Sequence, residues 1–350
     1  MSQDAPILVE LRNRVGYLTL NRPAGLNALT LPMVRILHRQ LQAWADNPQV
    51  VAVVLRGAGE KAFCAGGDIR SLYDSYRNDE RLHRDFFVEE YALDQYIHAY
   101  TKPLLALMHG FVLGGGMGLV QGAALRVISE RTRMGMPEVA IGYFPDVGAS
   151  YFLSRLRGNL GIYLGVTGNQ VDCADALYAG LADYCLPEAR FAELERRLDA
   201  QDWSMPASLV LTALLAELGS REMPEPSFRA LLPAIEQHFA HDSIAAIRAS
   251  LASESRDAYR DWAAHTLQVI DSRSPLAVSV TLEMLRRGRA LSLAECFRLE
   301  LQLGRQWFDR GDIIEGIRAL IVDKDKNPHW NPPTLAEVAP QRIAAFFAGA

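Results

Sequence analysis

Val50–Leu55 is aliphatic at every position, and Leu104–Met108 and Leu125–Ile128 are similar short runs. Such runs suit strands buried on both faces, the arrangement of a largely parallel sheet covered by helices. Ahead of them, alternation in Ile7–Leu11 and Val15–Leu20, joined by Arg12-Asn13-Arg14, predicts a hairpin that Asn21-Arg22-Pro23 then closes. Thr30 is placed to cap a helix whose Met33, Leu37, Leu41 and Trp44 share one face. Strand, helix, strand succession gives an α/β core. From Ala207 onward the pattern is helical, with Ser274-Pro275 reading as a cap with an N1 proline and Asp312-x-x-Glu315 as a capping box. Glycine usage follows the same division, 20 of the 26 lying in residues 1–200. The expected organisation is therefore a core over 1–200 and a helical region over 201–350.

Composition excludes several classes of function. A chain of 350 residues, 49% hydrophobic and 22% charged, is neither disordered nor fibrous. A net charge of −5 provides no global field for nucleic acid or an anionic membrane, so neither is an expected partner. Pro103–Leu125 carries no Asp, Glu, Lys or Arg and is long enough to span a bilayer. Its proline, histidine and six glycines break it instead into a strand, a loop and a short helix. Four dispersed cysteines without a C-x-x-C pair fit a reducing compartment, and Met1–Pro6 lacks the basic start and apolar run of a signal peptide. The expected location is cytoplasmic. No histidine or cysteine spacing suggests a metal, and no redox cofactor motif is complete. Asp323-x-Asp325-x-Asn327 begins like a calcium loop, but Pro328 stands where the turn needs glycine, so it reads as a polar turn. Ser150 reads as the small start of a helix rather than a nucleophile.

The chemistry-bearing residues fall in four places. Phe63–Ile69 and His109–Gly118 are glycine-rich loops, each following a hydrophobic strand, and backbone NH groups there can receive an anion or simply make a tight turn. Glu138 and Asp146 sit among Met, Val, Ile, Tyr and Phe, where an ionised carboxylate needs a partner or a task. Glu138 reads either as such a group or as a solvent-facing helix start, and Asp146 either so or as an N-cap. If residues 80–99 form a helix, Leu82, Phe86, Glu90, Leu93 and Ile97 share one stripe. Glu90 then interrupts an apolar face unless the helix is rotated to bring it into solvent.

Together, Asn21-Arg22-Pro23 with Asn27-Ala28-Leu29, Ala62-Phe63-Cys64-Ala65-Gly66-Gly67-Asp68-Ile69 and His109-Gly110 through Gly114-Gly115-Gly116 resemble the enoyl-CoA hydratase/isomerase (crotonase) superfamily. Phe86–Tyr91, Met136-Pro137-Glu138 with Phe144–Gly148, and Glu315–Ala319 followed by Asp323-Lys324-Asp325 resemble its 3-hydroxyisobutyryl-CoA hydrolases. The resemblance implies a crotonase-type spiral of ββα units with a helical C-terminal region, binding an acyl-CoA thioester. It implies that Gly67 and Gly115 give the NH groups of an oxyanion hole. Glu138 and Asp146 are then catalytic carboxylates that also contact substrate, and Glu90 and Asp68 are further substrate contacts. Hydratases of this superfamily place a glutamate where this chain has Gly118, which favours thioester hydrolysis over water addition to a double bond. An enoyl-CoA hydratase or isomerase and a non-catalytic acyl-CoA-binding protein stay as alternatives. No cofactor beyond the CoA of the substrate is expected. Helices of this superfamily often meet partner subunits, so a homo-oligomer is expected, with trimer, hexamer and monomer left open.

Overall fold

The computed structural model describes residues 5–220 and 222–348, so the first four residues of Met1–Pro6, the stretch read above for signal-peptide features, lie outside the described residues. Two compact units emerge, each assembled from separated stretches of chain. One gathers the residues up to Gly67, Ala92–Met134 and Val171–Pro226; the other gathers Asp68–Tyr91, Gly135–Gln170 and the residues from Ser227 onward. These units do not follow the 200/201 boundary suggested by glycine usage.

The first unit contains the predicted strands. β1 (Ile7–Arg12) and β2 (Val15–Leu20) pair antiparallel in register Ile7↔Leu20 to Arg12↔Val15. The two residues between them, Asn13 and Arg14, take φ of 40° and 67°, as a tight hairpin turn of the right twist requires. β3 (Ala52–Gly57), β4 (Ala62–Cys64), β5 (Leu104–Met108), β6 (Phe111–Leu113), β7 (Leu125–Ile128), β8 (Arg133–Gly135) and β9 (Tyr184–Cys185) follow. They form a sheet ordered β1-β2-β3-β5-β7-β9 and a smaller one ordered β4-β6-β8. From β2 onward every pairing of the larger sheet is parallel. All of β5 is buried, as its continuous aliphatic run predicts. Within the charge-free stretch, β5, β6 and the helix Gly115–Gln121 replace any single span. Among the described residues no helix is long and apolar enough to cross a membrane.

The helix Ala207–Leu218 explains why the units ignore the predicted boundary. Its Leu211, Leu214, Leu215 and Leu218 enter one buried cluster with Val15, Val54, Leu105 and Val127 of the sheet. A parallel sheet must bury both faces, and the chain supplies that cover from beyond residue 200.

The second unit is largely helical. Helices Leu160–Thr167 and Pro275–Gly288 approach closely at Gly165, where a Cβ would stand 2.7 Å from a Leu285 methyl group. Trp307, fully buried on the helix Leu293–Arg310, donates its indole NH to the Gly142 carbonyl at 2.7 Å. Local signals fare unevenly here and in the first unit. Ser274 caps as expected, accepting from the Ala277 NH. Thr30 and Asp312 occupy N-cap positions, but neither side chain makes a cap bond. Asp312 instead accepts from the Ser274 hydroxyl and the Asn331 NH, so the expected Asp312/Glu315 capping box is not formed. A reciprocal box occurs at Ser292 and Glu295. Asp323 and Asp325 both accept from Arg318 at 2.7 Å, which makes their segment the polar turn expected.

Candidate active site

In the first unit the two glycine loops lie side by side. β4 and β6 run parallel with Cys64 opposite Val112, so the loops leave the same end of the small sheet. Gly66 stands at φ +105°, and a Cβ there would meet the Leu113 carbonyl at 3.4 Å and the Gly115 nitrogen at 3.9 Å. A Cβ on Gly116 would lie 2.5 Å from the Cys64 carbonyl, which only glycine avoids. Gly115 opens the helix Gly115–Gln121, so its NH is among those a helix leaves without an internal acceptor. Gly67 forms a parallel bridge with Leu29, whose NH bonds to the Gly66 carbonyl at 2.8 Å.

The Asn27-Ala28-Leu29 segment has a mechanical reason to sit before these loops. Asn27 is fully buried at φ +55°, accepts from the Arg22 NH and donates to the carbonyls of Ala58 and Ala62. It ties the chain to β4 immediately ahead of Gly66-Gly67, and the strand fixes where the glycine amides begin.

In the second unit the carboxylates are buried. Glu138 opens a short 3₁₀ turn, Glu138–Ile141, after Pro137, as a helix start would, but it is only 8% exposed rather than solvent-facing. Its Oε2 has no hydrogen-bond partner among the described residues. Burial first, and the nearby Asp146 second, push its carboxyl well above the ordinary range. Asp146 is 5% exposed and accepts the Tyr91 hydroxyl at 2.6 Å. Burial pushes its carboxyl up to about 7, against the pull of the Tyr91 bond and of its own backbone. It is not an N-cap: Gly148 holds that position before the helix Ala149–Phe152.

Glu90 is 2% exposed on the helix Leu82–His98, in line with the equally buried Phe86, Leu93 and Ile97, so the rotated, solvent-facing alternative is excluded. Asp68 caps the helix Ile69–Arg77 by accepting from the Ser71 NH at 3.3 Å. Tyr91 also lines a cleft of about 400 Å³ with Phe87, Gly304 and Phe308.

Two residues of this region receive no role from the sequence. Tyr91 ends the Phe86–Tyr91 motif beside Glu90 and looks like core. Glu300 is fully buried and accepts from the NH groups of Gly148 and Ser150 and from the Ser150 hydroxyl. Ser150 is thus engaged with a carboxylate at the start of its helix, consistent with its reading as a structural residue. A signal for Glu300 was present: Phe297, Glu300, Leu303 and Trp307 repeat the helical spacing that singles out Glu90.

The enoyl-CoA hydratase/isomerase family model matches residues 15–347. The chain is 37% identical over 349 residues to 3-hydroxyisobutyryl-CoA hydrolase, mitochondrial, of Xenopus tropicalis, covering 99% of this chain and 89% of that protein. The solved structure of a carnitinyl-CoA dehydratase from Mycobacterium thermoresistibile matches with TM-score 0.91 and 38% identity, covering 99% of this chain and 97% of the other. An enoyl-CoA hydratase from Rhodobacter sphaeroides 2.4.1 matches with TM-score 0.88 and 36% identity, covering 98% and 97% respectively.

Proposed function

The chain belongs to the enoyl-CoA hydratase/isomerase family, and we propose that within it this protein hydrolyses 3-hydroxyisobutyryl-CoA to 3-hydroxyisobutyrate and free CoA. One observation carries the choice of hydrolysis. Glu138, a buried acid with a free oxygen, has Asp146 beside it, while Gly118 stands where the hydratases of the family carry their second glutamate. The full-length relative named as a 3-hydroxyisobutyryl-CoA hydrolase supports the same reading.

The proposed chemistry uses the amides of Gly67 and Gly115 to receive the thioester oxygen as it becomes an oxyanion. A preorganised donor of this kind is worth about 3 to 4 kcal/mol. Glu138 either deprotonates the attacking water or attacks the carbonyl itself to give a mixed anhydride. A carboxyl pushed well above its ordinary range by burial suits the first route, because a more basic carboxylate takes a proton from water more readily. Asp146 orients the water or the substrate hydroxyl and shares the proton. Collapse of the tetrahedral intermediate expels CoA as its thiol. Glu90 accepts from the 3-hydroxyl and so selects hydroxyacyl groups, with Asp68 a further substrate contact. The reaction calls for no metal or redox cofactor, and an acyl-CoA ester is the only small-molecule partner it needs.

Valine breakdown is the process in which such a hydrolase works. Self-association of the helical region belongs to the same proposal, tested by the sedimentation coefficient. A cytoplasmic location rests on cysteine usage, all four cysteines being buried thiols outside any disulfide; the relative of similar sequence is named mitochondrial.

A second reading comes from the solved relatives described as a dehydratase and a hydratase. A panel of hydroxyacyl- and enoyl-CoA esters separates the two. Hydrolysis releases a free thiol from 3-hydroxyisobutyryl-CoA, whereas hydration consumes the enoyl absorbance of crotonyl-CoA without thiol release. Efficient hydration with no thiol release would overturn the proposal.

A further inference from the structure

Val147 stands at φ +52°. A β-branched residue enters this left-handed region only under constraint, because its Cβ substituents crowd the flanking backbone. It separates Asp146 from Gly148, itself left-handed at φ +87°. A turn of this kind relaxes unless its surroundings over-determine it.

The constraint comes from far along the chain. On the helix Leu293–Arg310, Glu300 receives the Gly148 NH at Oε2, 2.7 Å away. Its Oε1 receives the Ser150 NH at 2.8 Å and the Ser150 hydroxyl at 2.5 Å. These three donors come from the two residues that follow the strained turn by one and three positions. Both carboxyl oxygens are occupied by backbone amides in a fully buried place; burial pushes the carboxyl up to about 8 against the pull of these bonds, and a buried bond left unmade is costly.

We infer that Glu300 is the positioning residue for Asp146: by holding Gly148 and Ser150 it keeps Val147 in its strained conformation and fixes the Asp146 carboxylate against the Tyr91 hydroxyl. This rests on the reading of Asp146 as a participant in hydrolysis. Glutamine cannot replace Glu300, since either orientation of its amide turns an NH₂ group toward a backbone NH. Glycine at 147 takes a left-handed φ without a steric penalty and lessens the need for the clamp.

The test measures thiol release from 3-hydroxyisobutyryl-CoA by Glu300→Gln, Val147→Gly/Glu300→Gln and Ser150→Ala. A non-hydrolysable thioether analogue counts the binding-competent sites in each preparation. Glu300→Gln is expected to lower kcat per competent site at least tenfold with KM within twofold. Adding Val147→Gly should recover at least threefold of that loss. Ser150→Ala removes one contact of three and should lower kcat two- to fivefold, which keeps the test open if Glu300→Gln folds poorly. Wild-type kcat per competent site in Glu300→Gln, or in Ser150→Ala where Glu300→Gln is not recovered, overturns the inference, as does a double variant no faster than Glu300→Gln. Asp146→Asn is assayed alongside: full activity there overturns the underlying reading of Asp146, whereas a slow Asp146→Asn beside a fast Glu300→Gln overturns only the clamp.

Discussion

The Tyr91 hydroxyl donates to Asp146 Oδ2 at 2.6 Å, across 55 residues of sequence and with both side chains buried. This bond favours the ionised form of a carboxyl that burial pushes the other way, up to about 7. Tyr91 therefore sets how much of Asp146 is charged at neutral pH.

Tyr91→Phe removes that donor. The Asp146 carboxyl should rise further, and the acid limb of the kcat profile should move up by about one pH unit. The pH dependence of kcat for both proteins measures it; an unmoved limb would mean that Asp146 does not titrate in the reaction.

Glu138→Gln keeps volume and loses the basic oxygen. Turnover should drop by about a hundredfold or more while the affinity for an acyl-CoA thioether stays within about threefold. Calorimetric titration and thiol release report the two quantities separately, and retention of most turnover removes Glu138 from the chemistry.

Glu90→Gln tests substrate choice. If the carboxylate accepts from the 3-hydroxyl, hydrolysis of the hydroxyacyl ester should weaken relative to the matching ester without that hydroxyl, by about 1.5 to 3 kcal/mol. A wholly structural Glu90 predicts equal losses on both esters and a lower melting temperature, leaving the ratio of kcat/KM values where it was.

Asp146→Asn should stabilise the fold at alkaline pH. The folded-state carboxyl lies near 7 against an ordinary value of 3.8, so the folded state binds the proton more tightly than the unfolded chain does. Its stabilising contribution is complete below about pH 4 and is lost as pH rises through 7. The melting temperature of Asp146→Asn relative to wild type should therefore increase by about 3 °C or more between pH 4.5 and pH 8.5. A difference that is flat with pH contradicts the raised carboxyl.

The sequence by itself determined the main strands and pointed to the acids. Aliphatic runs specified the start of β3 and all of β5, because a strand buried on both faces leaves no polar position to vary; β7 carries Arg126 and is buried only at Val127 and Ile128. Alternation specified the β1–β2 hairpin, and helical spacing brought Glu90 onto a buried face. These are properties of neighbours in sequence. Motif resemblance then named Gly67, Gly115, Glu138 and Asp146 together.

Only the tertiary structure decided who holds those groups. Tyr91 reaches Asp146 across 55 residues and Glu300 reaches Gly148 across 152. Neither pairing leaves a local periodicity, since a hydrogen bond between distant segments depends on where two helices stop in space. The cap positions show the same limit: Asp312 has the right residue type, yet its carboxylate accepts from Ser274 and Asn331, donors 38 positions before it and 19 after it that only the fold brings to it. The compact units were decided in this way too, the leucines of Ala207–Leu218 being drawn to the sheet by the apolar face that β2, β3, β5 and β7 leave to be covered.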